Sequence, residues 1–90
     1  MNAAETLIAA RTQVTLRPNR DCAAIAIRDM SASRGDEYAA LAVFAQAADL
    51  DANTSELAGR QKVWAWWDAA TPEQRDAAFS RAIELARTAL

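Results

Sequence analysis

The sequence has no histidine, one cysteine, one lysine, two glycines and two prolines among its 90 residues. Without histidine it excludes Ser-His-Asp and Cys-His catalytic constellations, and it removes the commonest nitrogen ligand of transition metals. The lone thiol, Cys22, can close no internal disulfide, which fits a reducing compartment or an indifferent one. With no base beside it, Cys22 reads as an inert small residue rather than a reactive or dimer-forming thiol. No run approaches the roughly 18 apolar residues of a membrane span, and Met1–Glu5 has no basic opening. Neither a span nor a secretory signal is expected, and the expected location is the cytosol.

Alanine is what the chain has in abundance, 24 of its residues, so the hydrophobic fraction of 52% overstates its apolar bulk. Alanine loses no side-chain entropy in a helix. With so few glycines and prolines to interrupt it, the chain should form helices that approach one another closely, in a single domain with a thin core. The net charge of −2 divides unevenly: residues 1–35 carry +2 and residues 36–90 carry −4. Neither half is basic enough for a nucleic-acid footprint.

The large side chains concentrate in Thr54–Ala70, where Trp64, Trp66 and Trp67 fall within four residues. At about 100° per residue, Trp66, Val63, Trp67 and Trp64 fan out in that order over roughly 160° of a helix surface. One neighbouring helix cannot cover that arc. The segment is therefore either the central element of a helical domain or a helix with one tryptophan left for a partner, Trp64 or Trp66 at the ends of the arc being the candidates. Arg60 falls on the side of Trp64 and Trp67 and is expected to stack on an indole face. Trp64, Trp66, Trp67 and Arg60 are the candidate protein-interface residues.

Elsewhere the pattern is mixed. Ala3–Arg11 reads as a short helix, with Ala4, Leu7, Ile8 and Arg11 on one side. For residues 12–32 two readings compete. In one, the chain turns at Pro18 and Asn19 or Asp21 caps a second helix reaching about Ser31; in the other, 12–17 and 22–28 pair as a β-hairpin. The alternation of Val14 and Leu16 with polar residues suits a strand, whereas Ala23, Ala24 and Ala26 suit a helix. Ser31–Gly35 breaks the pattern, with Gly35 free to take a positive φ and Ser33 or Asp36 able to cap a helix over Asp36–Ala48. That helix, with only Gln46 polar after Tyr38, should be largely buried and should partner the tryptophan helix.

Asn53 with Glu56 resembles a capping box at the start of the tryptophan helix. Thr71-Pro72-Glu73-Gln74 combines an N-cap threonine, proline at the first helical position and glutamine at the third, and so marks the last helix start. The short connection at 70–71 implies that 72–89 folds back along the tryptophan helix as an antiparallel pair.

Several motifs resolve into ordinary turn and cap chemistry. Asp49, Asp51 and Asn53 match the first oxygen ligands of a calcium-binding EF-hand loop. Thr54 then replaces the required glycine, and Arg60 replaces the closing glutamate, so no metal is expected. Lys62 points toward Ala58, Ala65 and Ala69, away from the tryptophan arc, and reads as solvated rather than as a Schiff-base lysine. Arg34-Gly35-Asp36 and Asn53-Thr54-Ser55 spell an adhesion triplet and a glycosylation sequon, which matter only outside the cell. Arg17, Arg20, Arg28 and Arg34 are interleaved with Asp21 and Asp29, which argues against a phosphate-binding edge.

The expected fold is therefore all-α, a small irregular bundle of four or five helices, with 36–48, 54–70 and 72–89 as its core; the alternative is α+β with a hairpin at 12–28. The expected function is non-catalytic protein binding without a cofactor. Size and charge suit a small regulator or a phage-type, anti-CRISPR-like inhibitor of a larger protein machine. The alternatives are a homodimeric accessory protein closed through the tryptophans and, after it, a nucleic-acid-binding regulator using 11–34.

Overall fold

The computed structural model describes residues 2–17, 21–50 and 56–88, the side chains of 56–58 excepted. It consists of helices α1 (Ala3–Leu16), α2 (Ala23–Met30), α3 (Arg34–Ala47), α4 (Glu56–Ala69) and α5 (Pro72–Thr88), with no strand among the described residues. The fold is a small all-α bundle. The β-hairpin alternative at 12–28 is overturned, and the first helix runs five residues past Arg11.

The reason lies in α1 itself. Its start is fixed by a capping box in which Glu5 N donates to Asn2 Oδ1 at 2.9 Å and Asn2 N donates to Glu5 Oε1 at 3.3 Å. The threonines that resembled strand residues are accommodated in the helix with their hydroxyls turned back one turn: Thr12 Oγ1 donates to the Ile8 carbonyl at 3.1 Å and Thr15 Oγ1 to that of Arg11 at 2.9 Å. Val14 packs against the core while Leu16 is 76% exposed, so the two do not share a buried face. In α2 the N-cap position is Cys22, with no side-chain cap. Asp21, one of the two expected caps, instead accepts a hydrogen bond from Gln13 Nε2 of α1 at 2.9 Å; Asn19, the other, lies outside the described residues.

Ser33 caps α3, its Oγ accepting from Asp36 N at 3.2 Å. The helix thus begins before Gly35, which takes no positive φ. At the other end Leu50 N donates to the Ala45 carbonyl at 2.8 Å and Asp49 N to that of Gln46 at 3.1 Å. This is a Schellman motif, with Asp49 at the left-handed position, φ 59°. Leu50, the next residue, packs on the core as that motif favours. Asn53 of the expected capping box, and Asp51 and Thr54 of the calcium-like run, lie outside the described residues, whereas Arg60, at the position of the closing glutamate, is bound to Glu37.

The central element is α3, which packs against each of the other four helices. Between α3, α4 and α5 the core is aromatic. The Phe44 ring meets Phe79 at 4.9 Å and Trp66 at 5.7 Å edge-on, with Trp67 tilted at 6.4 Å. Toward α1 and α2 it turns aliphatic and small: Leu7, Ala10, Ala23, Ala26, Ile27 and Ala40 are all without exposed surface.

Helix α5 starts as its sequence implies. Thr71 Oγ1 accepts from Gln74 N at 3.1 Å, and Thr71 N donates to Gln74 Oε1 at 2.8 Å. It does not, however, lie along α4. Among the described residues α4 packs on α3 and α2, and α5 on α3 and α1. The two meet at their shared corner, where Trp67 contacts Phe79 at 5.8 Å and Arg75 closes the end of α4. Phe44, standing between them on α3, takes the surface that an antiparallel pair would have buried against itself.

Candidate functional site

Burial along α4 follows the order of side chains around it. Val63 and Trp67, in the middle of the arc, are buried; Trp66, at one end, is half-buried against Phe44; Trp64, at the other, is 53% exposed. Neighbouring exposed positions on α4 are Gln61, Ala65, Asp68 and Ala69. Trp64 is the large aromatic that this surface presents.

Two arginines hold α4 in place and leave Trp64 where it is. Arg60 Nε and Nη2 donate to Glu37 Oε2 and Oε1, each at 2.7 Å, across the α3–α4 interface. Its guanidinium also lies 5.7 Å from the Tyr38 ring centre. The expected stacking of Arg60 on an indole is therefore replaced by an ion pair with a carboxylate that is 3% exposed, and by contact with a tyrosine. The guanidinium over an indole belongs to Arg75, 4.7 Å from the Trp67 ring, with Nε and Nη2 donating to the Trp67 carbonyl at 2.9 and 2.6 Å. These bonds satisfy a carbonyl at the C-terminal end of α4 and place a cation at the negative pole of the helix.

Beside this corner a groove of about 410 Å³ opens between α1 and α5. Trp67 and Phe79 back it, Val14 and Pro72 give it apolar walls, and Arg11, Arg75 and Asp76 give it charged ones. Arg11 Nη2 pairs with Asp76 Oδ1 across its mouth. The groove thus combines an apolar floor with cations and a carboxylate, a composition suited to an amphipathic group.

Of the four candidate interface residues, then, Trp64 is exposed, Trp66 and Arg60 are half-buried, and Trp67 is inside the core. Arg75, Arg11 and the groove between them had no sequence signal, because the residues come from helices more than fifty positions apart. Cys22 is buried, and Lys62 is partly covered on α4. Among the described residues no three acidic or thiol side chains gather as a metal site, and no helix is long and apolar enough to cross a membrane. No family model, curated protein or solved structure matches the chain.

Proposed function

We propose that the chain is a non-catalytic protein-binding module that docks through the face of α4 bearing Trp64. The observation that carries this reading is the 53% exposure of Trp64 on a helix whose other two indoles are committed to the aromatic core. Leaving a tryptophan half in water costs apolar burial that a small domain can ill spare. Tryptophan is also the residue type most enriched among binding hot spots, where its area is desolvated by a partner. The absence of histidine and the engagement of Arg60, Arg75 and Glu37 in structural bonds support a role without chemistry. Small size and a net charge of −2 suit a regulator or inhibitor of a larger protein machine.

The test is photocrosslinking in the cells the gene comes from, with p-benzoylphenylalanine in place of Trp64 and, as a control, in place of Glu84, an exposed position on α5. A discrete protein adduct from position 64, either foreign or a second copy, is the expected result. No adduct from that position, with the variant folded by circular dichroism, would remove the reading.

A further inference from the structure

The charges that line the α1–α5 groove do not cancel: Arg11 and Arg75 are cations and Asp76 is the one anion. Arg11 is matched by Asp76, whereas the half-buried Arg75 pairs with no carboxylate among the described residues. Its Nε and Nη2 are spent on the neutral Trp67 carbonyl, and its guanidinium rests against the Trp67 ring. A positive charge is thus left over beside apolar surface, where lacking a counter-ion costs more than in open water. We propose that the groove is a binding site for a small organic monoanion, a free carboxylic acid with a flat apolar body. This site is separate from the docking face at Trp64 and does not rest on it.

The donors for such a carboxylate are in place. Arg75 Nη1 and Arg11 Nε and Nη1 have no acceptor among the described residues. They are not sealed inside either, since Thr6 Oγ1 is the buried side-chain atom left without a partner among those residues. The three nitrogens therefore reach solvent, on side chains that line the groove, and a carboxylate gives them charge-assisted hydrogen bonds. Trp67 and Phe79 at the floor, with Val14 and Pro72 on the walls, meet the apolar body. A volume of about 410 Å³ lies toward the lower end for ligand sites and limits that body to roughly two fused rings. Asp76, whose side chain is 67% exposed, repels further negative charge and so favours a monoanion over a dicarboxylate or a phosphate dianion. Two other grooves have no such surplus. The one between α1 and α2 sets Arg17 against Asp29, and the one between α3 and α5 sets Arg81 against Asp49.

The experiment is an NMR titration of the nitrogen-15-labelled full chain, at constant ionic strength, with phenylacetate and with its neutral counterpart phenylacetamide. The probes are taken to about 20 mM, a range suited to ligands of so few atoms. Phenylacetate should saturate with a Kd of a few mM (about 5 mM) or tighter, shifting the backbone N–H signals of Val14, Thr15, Asp76 and Phe79 and the indole N–H of Trp67. The amide should bind at least about tenfold more weakly. Asp76→Asn should tighten phenylacetate at least about threefold and leave the amide unchanged, because it removes the repelling charge and frees Arg11. Arg75→Gln should erase the preference for the acid; should it unfold, Asp76→Asn, at an exposed side chain, still decides. Phenylacetate that shifts nothing saturably, or shifts signals away from the groove, overturns the inference. An amide that binds as well as the acid, or an Asp76→Asn chain that binds the acid no better, does so too.

Discussion

Glu37 of α3 and Arg60 of α4 are joined by two hydrogen bonds of 2.7 Å each, and the carboxylate that receives them is almost completely removed from water. Replacing Arg60 with alanine strands that carboxylate, whereas replacing Glu37 with alanine leaves a guanidinium whose side chain is 32% exposed and lies against Tyr38. The first change should lower unfolding free energy by about 3 kcal/mol in urea titration, and the second by less. The double variant Glu37→Met with Arg60→Met should lose less than Arg60→Ala alone, since it leaves no buried carboxylate without its partner. A loss equal to the sum of the two would mean that the pair is not coupled.

Thr6 on α1 is fully buried, and its hydroxyl has no hydrogen-bond partner among the described residues. Valine has nearly the same shape and carries no such group. Thr6→Val should therefore raise stability by about 1 kcal/mol, read as a higher denaturation midpoint with an unchanged slope.

Glycine stands where alanine would serve and is missing where it is wanted. Gly35 sits in the first turn of α3 without a positive φ, and a Cβ there would come no nearer than 3.7 Å to Ser33 Oγ. Asp49 holds the left-handed C′ position that glycine normally takes. Gly35→Ala and Asp49→Gly should each stabilise by about 0.5–1 kcal/mol, and additively, because the two lie at opposite ends of the helix. Asp49→Gly also removes an ion pair with Arg81, but that pair is 3.8 Å long and exposed, so its removal should cost little. Urea midpoints of the two single variants and the double variant check all three expectations.

Trp64→Ala and Trp67→Ala separate surface from core. The first should leave the melting temperature nearly unchanged. The second removes a ring that touches Phe44, Phe79 and Arg75, and should cost about 3–5 kcal/mol. Equal losses would show that Trp64 is a structural residue and weaken its case as a contact.

What could be read in the sequence was local. The Thr71–Gln74 box lies within one turn, its residue types are diagnostic, and it forms as expected. The spread of the tryptophans also carried through, with burial greatest at Val63 and Trp67 and least at Trp64. Residues 12–16 were ambiguous because β-branched alternation favours a strand while the same hydroxyls can bond one turn back in a helix. Nothing in the five letters chose between them. Asp49 drew attention for its carboxylate, whereas its structural part is played by its backbone. The Glu37–Arg60 pair and the Arg75 corner depend on which helices become neighbours, and α4 could be assigned to α5 or to α3 only once Phe44 was seen between them.

The alanine interior sets limits on how this sequence can diverge. Ala10, Ala23, Ala26, Ala40 and Ala82 have no exposed surface, and each fills its place in the interior with a single methyl group. Enlarging any one of them overpacks that interior, at about 1–3 kcal/mol per step, so no single substitution offers a gradual route to a bulkier core. Relatives that keep this bundle should vary freely at exposed positions such as Ser80 and Glu84 of α5 while retaining small residues in the interior. Their kinship would then be written in a spacing of alanines that ordinary similarity scoring barely counts.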